Sequence, residues 1–589
     1  MTAVATTAPE IKVDGASLPD NWQSSMTGLR VELGLCLIGR ATLRFADAGY
    51  QLSASNKFSL GSKVDIGVQG GSMLLSGLVT GVSLEQTSSD TPELLVTVDD
   101  HGCTLALGTR VKTYLQSSYA DVLRQIAGEL NLQLKDSASS IGAVHDYLLQ
   151  SGSDLAFLQT IAERTGTVWW LDGTTLTISD ADAVTGSVAL ALMETLSEFS
   201  VRASALRPTA VAVKGWDANA QQDVSGQSTA PVDRASSAFV SDYLGDKPST
   251  LRSSTQSSFD LNPEDTSEAG NIATALYNDI TSSAIVARGT TLINPAIKLM
   301  TRVEVTGAGP ASGSYTVSEV EHIYRWDGFY TRFVAGPIRP GGLVDTLGPS
   351  TPDPGFEIGG LLTATVSNLD DPDNVGRVKV TYAASGGTVD SAWARVVGLG
   401  VGKGRGSVFQ PEVNDEVLVG FERGDSRRPV VLGGLYSQKN TLPTGTAAVK
   451  DNVVGYRRIM SRLGHVIEMG DGDGPAQQHL LLQLAGGEHK LRLGADRFDL
   501  ELAQGKPISI KAGGATFAID EQGNVSIEGN KVTIKAQSQV SVEGTAGVEL
   551  KSDAKVALQA AMIDVKANAS ATVDGGGTLG LKGGMVAIN

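Results

Sequence analysis

Apolar side chains alternate with polar ones along most of this chain, and the alternation has two periods. Near the C-terminus Val532, Val540, Val548 and Val556 stand eight apart, each followed two positions later by Ile534, Val542, Leu550 or Leu558. Apolar residues at i and i+2, with Lys535, Glu543, Lys551 and Gln559 one step beyond, describe short strands with one buried face. Small residues at Ala536, Gly544, Ser552 and Ala560 suit a corner after each strand. Eight residues supply one strand and a bend, too little to enclose a core. The octads therefore predict either three intertwined copies or a single-chain solenoid with three octads per coil. Earlier pairs at Ile508/Ile510, Phe517/Ile519 and Val525/Ile527, and later ones at Ile563/Val565, Ala571/Val573 and Leu579/Leu581, extend the series with steps of seven to nine. At ~4.8 Å per stacked strand, about ten layers span roughly 50 Å.

Upstream the period-2 pattern recurs in residues 10–112, broken by Gly and Ser/Asp turns. It gives way to a helical period twice. Ser118 and Asp121 form a capping-box start, with Tyr119, Val122, Leu123, Ile126, Ala127 and Leu130 on one face. A second helix over Asp154–Thr165 stops at Gly166. Residues 218–267 are rich in Ser, Thr and Asp and read as a polar surface excursion; a helix over Ala269–Ala287 and further strands follow. The divisions are a domain over 1–340, a Pro/Gly linker over 341–358, a small five-stranded barrel of OB type over 359–440, and a strand-and-turn region over 441–589. The fold class is mainly β with a minor α+β part.

Composition agrees with thin, repetitive β cores. Only 5% of the 589 residues are aromatic, whereas Gly occurs 69 times. The net charge of −17, tripled in a trimer, disfavours nucleic acid and stable membrane association, because phosphate neutralisation needs clustered Lys and Arg. Two cysteines, Cys36 and Cys103, provide no disulfide framework and read as buried thiols. No basic-then-apolar leader and no membrane-length apolar run occur, so assembly in the cytoplasm is expected.

Candidate chemistry is sparse. Gly400, Gly402, Gly404 and Gly406 lack the Lys-Ser/Thr and helix of a phosphate loop and read as a barrel loop. Asp471-Gly-Asp-Gly474 lacks the later ligands of a calcium loop and reads as a turn. Asp370-Asp371 reads as a solvated turn rather than an acid/base pair. His101, His145, His322, His465, His479 and His489 are scattered without metal-ligand spacing, and His322 reads as a hydrogen-bonded residue of a hairpin. No catalytic, cofactor or metal site is predicted.

The barrel segment resembles the VgrG-type spike family, related to the hub and spike proteins of contractile phage baseplates. Its DP…GRVKV pattern appears as Asp371-Pro372 and Gly376-Arg377-Val378-Lys379-Val380. Ser391-Ala392-Trp393-Ala394-Arg395 follows with one change. Pro411 to Val419 carries Asp415-Glu416, with Asn414 where Gly is usual, and Gly424-Asp425, Pro429 and Gly433 complete the pattern. Arg377, Trp393 and these residues are the structural signature of the barrel.

The N-terminal part resembles the phage late-control/hub family in Asp154, Phe157, Leu158 and Gly166, and in Gly313–Tyr315, Val317, His322 and Gly328–Phe333. The resemblance implies a homotrimer whose hub matches a hexameric inner tube protein and other baseplate components. It also implies a PAAR-type tip on the prism end, where Met585, Val586, Ile588 and Asn589 are the docking candidates. The implied function is non-enzymatic: the central spike of a contractile injection system, coupling tube to tip and piercing an envelope, within a phage-tail-like particle that is retained or released. The competing reading is an effector-carrying or muralytic spike of type VI secretion. The short interval between Ser437 and Arg457, and an end within repeat, leave no room for such a domain in this sequence.

Overall fold

The N-terminal strands find their partners three hundred residues away. Met26–Gly34 pairs antiparallel with Gly313–Arg325, placing Val31 opposite His322. This pairing fuses early and late strands into one sheet of fourteen. The computed structural model describes residues 8–87, 91–218, 220–245, 247–259, 261–339, 358–383, 389–443 and 449–588. It divides into two compact units, Met1–Thr441 and Leu442–Asn589; the predicted 341–358 linker lies outside the described residues except for Ile358.

Two cores lie on the large sheet of the first unit. One gathers Trp22, Phe45, Phe58, Val64 and Ile66, with Trp22 edge-on to Phe45 at 5.0 Å. The other surrounds Trp169, Tyr315 and the helices Tyr119–Glu129 and Asp154–Thr165. Ser118 caps the first helix as its sequence requires: its hydroxyl accepts the Asp121 N–H at 3.1 Å, and the Asp121 carboxylate accepts the Ser118 N–H. Gly166 ends the second helix with φ +70°, and a Cβ there would sit 3.0 Å from that of Ala275. Glycine thus serves both the turn and a close helix approach.

Two expectations are corrected here. The third helix is Thr266–Ser282 rather than Ala269–Ala287, because Ile285–Leu292 is a strand paired on both sides, with Glu198–Ala203 and Gly328–Ala335. Thr281, Ser282 and Ser283 turn their hydroxyls back onto helix carbonyls and mark the end. The polar stretch 218–267 is not a bare excursion. Gln222–Ser228 and Thr255–Ser258 flank Ala210–Asp217 in a three-stranded sheet. That sheet packs under the third helix around Val211, Val213, Val224, Leu261, Ile272 and Leu276.

The barrel sheet runs in the order Lys379–Tyr382, Leu362–Asn368, Glu416–Phe421, Pro429–Gly434, Arg395–Val396. Its core of Ala364, Val366, Val380, Val417, Val419 and Val431 is completed by Tyr147 and Leu149, which project from the hub strand Val144–Gly152. Cys36 is buried as expected, but Cys103 is only half-buried; both are free thiols.

The second unit begins as a five-stranded antiparallel meander over Tyr456–Met460, Val466–Asp471, Gln478–Gln483, Lys490–Gly494 and Phe498–Glu501. A second meander follows over Ile508–Ala512, Ala515–Ile519 and Val525–Glu528. From Gly529 to Ile588 the octads form no ladder: among the described residues, one backbone–backbone hydrogen bond occurs there, Thr578 N–H to Gly575 carbonyl. The chain bends at 537–538, 545–546, 553–554, 561, 568–569 and 576–577. The corner therefore falls one residue after the small side chains at 536, 544 and 552.

Candidate assembly surfaces

The barrel signature is mostly a set of turns. Asp371 is buried, unlike its exposed neighbour Asp370, which corrects the solvated reading of the pair. Its carboxylate accepts N–H groups of Asp373, Val375 and Arg377 at 3.0–3.2 Å and takes the Arg377 guanidinium at 2.6 and 3.1 Å. The Arg377 hydrogen bond holds its carboxyl well below the usual carboxylate range. Pro372 opens this turn, and Gly376 closes it at φ +83°. Lys379 and Arg377 lie over the half-buried Trp393 ring, 5.3 and 5.9 Å from its centroid.

Asn414 adopts φ +74°, which explains why Gly or Asn is needed there. The Asp415 carboxylate closes that turn onto the Glu412 N–H at 2.8 Å, and the Glu416 carbonyl accepts from Leu435. Gly424, at φ +79°, accepts the Ile358 N–H on its carbonyl. Pro429 and Gly433 lie on the strand paired with Phe421 and Leu418.

Asp425 leads to residues that sequence reasoning missed. Its carboxylate meets the Arg427 guanidinium at 3.0 Å, and Arg427 also reaches Glu264 at 3.0 Å, Glu268 at 3.2 Å and the Asn262 carbonyl at 2.9 Å. Arg164, from the second hub helix, holds Glu268 at 2.6 Å. Burial raises the Glu268 carboxyl, but Arg427 and Arg164 outweigh it and bring it down to about 2. Arg428 donates to the Trp216 and Pro263 carbonyls at 2.6 and 2.7 Å. The barrel is thus seated on the hub by charge as well as by Tyr147 and Leu149. The only sequence signal was Arg427-Arg428-Pro429; the partners lie some 160 positions away.

The histidines do not converge. His322 is buried against Thr331 Oγ1 at 3.0 Å, and burial lowers it to about 4. His145 meets Glu264 at 3.3 Å and His479 meets Glu468 at 2.9 Å. Among the described residues, no group of three metal-binding side chains occurs.

The second unit presents a different surface. Ile459, Ile467, Leu482, Leu491 and Leu500 align across the five strands, and Met469, Leu480, Leu493 and Phe498 form the adjacent row. This face is left about half exposed, with Ile459, Leu482 and Leu500 at 48–49%. Ile508, Ile519 and Val525 repeat the arrangement beside Ile510, Phe517 and Ile527. The octad valines and their i+2 partners are also exposed. Met585, Val586 and Ile588 are exposed, and Asn589 lies outside the described residues.

Known proteins resemble the chain in these same parts. The type VI secretion system/phage-baseplate injector OB domain matches residues 362–436. Over 75 residues the chain is 39% identical to the type VI secretion system spike protein VgrG3 of Vibrio cholerae, covering 12% of this chain and 7% of that protein. It is 44% identical to VgrG5 of Pseudomonas aeruginosa over 75 residues, 12% of this chain and 10% of that one. The matched stretch thus spans a tenth or less of these curated relatives. The solved Francisella PdpA–VgrG complex, half-lidded, superposes with TM-score 0.51 at 8% identity, over 90% of this chain and 89% of that chain, a likeness of fold.

The barrel is thus similar to the OB domain of VgrG spike proteins, and the chain shares the fold of the solved PdpA–VgrG complex. The chain belongs to the family of the Alg8 N-terminal domain, which matches residues 3–325, more than half of its length.

Proposed function

We propose that three copies of this chain form the central spike of a contractile injection system, a mechanical part without a catalytic site. The observation that carries this reading is the second unit's unsatisfied surface. It combines half-exposed apolar rows on two sheets with a bent, unpaired chain from Gly529 to Ile588. Backbone N–H and C=O groups need partners, and apolar rows need cover. Two further copies supply both, since each bend carries the chain to a new face while the open edges receive neighbouring strands. A single-chain solenoid would pair octads three apart within the chain, and no such pair occurs among the described residues.

In this reading the hub couples to a tube protein and baseplate components, the barrels form a collar, and the prism transmits force to an envelope. Exposed Met585, Val586 and Ile588, with Asn589, form the seat for a PAAR-type tip. Partial proteolysis tests the shaft. The C-terminal third is expected to survive protease and SDS as a trimeric core, and its rapid digestion would refute the intertwined reading. Removing residues 584–589 is expected to abolish capture of a purified PAAR-type tip while leaving the oligomer intact.

A further inference from the structure

The outer surface of the octads carries a charge pattern that the need for a buried face does not explain. From Val532 onward, beyond the antiparallel strands that end at Glu528, the position after each second apolar residue reads Lys535, Glu543, Lys551, Gln559, Lys566, Asp574 and Lys582. All seven are exposed. Asp564 and Lys566, two residues apart, approach to 4.0 Å, so alternate residues share the outer face.

Threefold symmetry assigns partners to this row, given the trimer proposed above. Equivalent strands of three copies lie at one height on three faces, and each bend moves every chain to the next face. On any face a strand is therefore followed by the next strand of a neighbouring copy, parallel and in phase. Residues at equal octad positions then stand ~4.8 Å apart along the stack. With this one-strand stagger, Lys535 meets Glu543, Glu543 meets Lys551, Lys566 meets Asp574 and Asp574 meets Lys582. Gln559 separates Lys551 from Lys566. No like charges meet. A two-strand stagger would instead stack Lys535 on Lys551, Lys551 on Lys566 and Lys566 on Lys582. Like charges directly opposite one another destabilise a strand pair.

We propose that this alternating row is a register lock, complementary to a second copy of the same chain displaced by one octad. Apolar valines at every octad accept any stagger; the charges do not. The lock matters because a slipped prism would bury the same apolar area with its three ends out of step.

Paired cysteines in the full-length protein test the lock. Under oxidation, K535C/E543C is expected to give a covalent trimer on non-reducing gels loaded after heating above the dissociation temperature of the SDS-resistant trimer, while K535C/K551C then runs as a monomer. A covalent trimer from K535C/K551C alone, or none from either in a protein that still sediments as a trimer, overturns the lock. Sedimentation of the unmodified protein as a monomer overturns the trimer itself, which keeps the two failures distinct. As a second arm, Lys551→Glu places a carboxylate beside Glu543. It is expected to lower the temperature at which the SDS-resistant trimer dissociates, by less at high salt. Inverting Lys535, Glu543 and Lys551 together is expected to restore most of that loss. Equal melting of all three proteins contradicts the lock.

Discussion

Arg427 sits in a position where charge is costly unless matched. Its side chain is 3% exposed, and three carboxylates and a carbonyl surround it. Removing one partner of such a buried pair typically costs about 3–5 kcal/mol, because the others are left uncompensated. Arg427→Met is therefore expected to destabilise the hub–barrel unit by about that amount in calorimetric unfolding. Arg427→Lys, which keeps the charge but loses the planar fork, should cost less.

His322 gives a pH signature. Its pKa lies near 4, below the ordinary value, so its contribution is fully present above pH ~6.5 and is lost as pH falls through 4. Asp100, raised by burial to about 6, works oppositely over much the same interval. His322→Gln cannot take up a proton there, so the variant should gain stability relative to the parent as pH falls from ~6.5 to 4. Parallel stability curves would contradict this. His322 as a hydrogen-bonded hairpin residue was legible in the sequence. Asp371 was legible as part of a motif, but its burial was not, because that depends on Arg377 folding back over the turn. Arg427 and Glu268 were invisible, since nothing local distinguishes a buried ion pair from two surface charges.

At the scale of elements, period decided what could be read. Strands with one buried face announce themselves by alternation, and so the barrel strands were legible; the octads show the same alternation but form no strand ladder within one chain, and their valines stay exposed. Helix starts were legible where a side chain does the capping, as at Ser118. The end of Thr266–Ser282 was not, because two distant strands claim Ile285–Leu292. The 218–267 region was misread because it borrows its core from a helix that follows it: Val224 and Leu261 pack on Ile272 and Leu276. The paired apolar rows of the second unit make the sharpest element-scale prediction. Covering the remaining half of each Ile or Leu is worth on the order of 1 kcal/mol. A buried carboxylate in its place costs more. Ile467→Asp or Leu482→Asp should therefore prevent trimer formation while leaving hub unfolding unchanged; a variant that still sediments as the parent protein does would contradict the role given to this face.

For the whole molecule, the division of labour follows from where each part finds its partners. The first unit buries its own cores, two on the large sheet and one in a barrel seated on buried charge. The second leaves apolar rows half exposed and, from Gly529 to Ile588, makes one backbone–backbone hydrogen bond among the described residues. A chain that buries its cores in one unit and leaves apolar rows open in the other is suited to assemble through the open unit, and the assembly proposed here is threefold. The direct measurement is the mass of the full-length protein in solution, by sedimentation equilibrium across a dilution series. The account predicts three times the mass of one chain, independent of concentration down to the detection limit, whereas a stable monomer would contradict it.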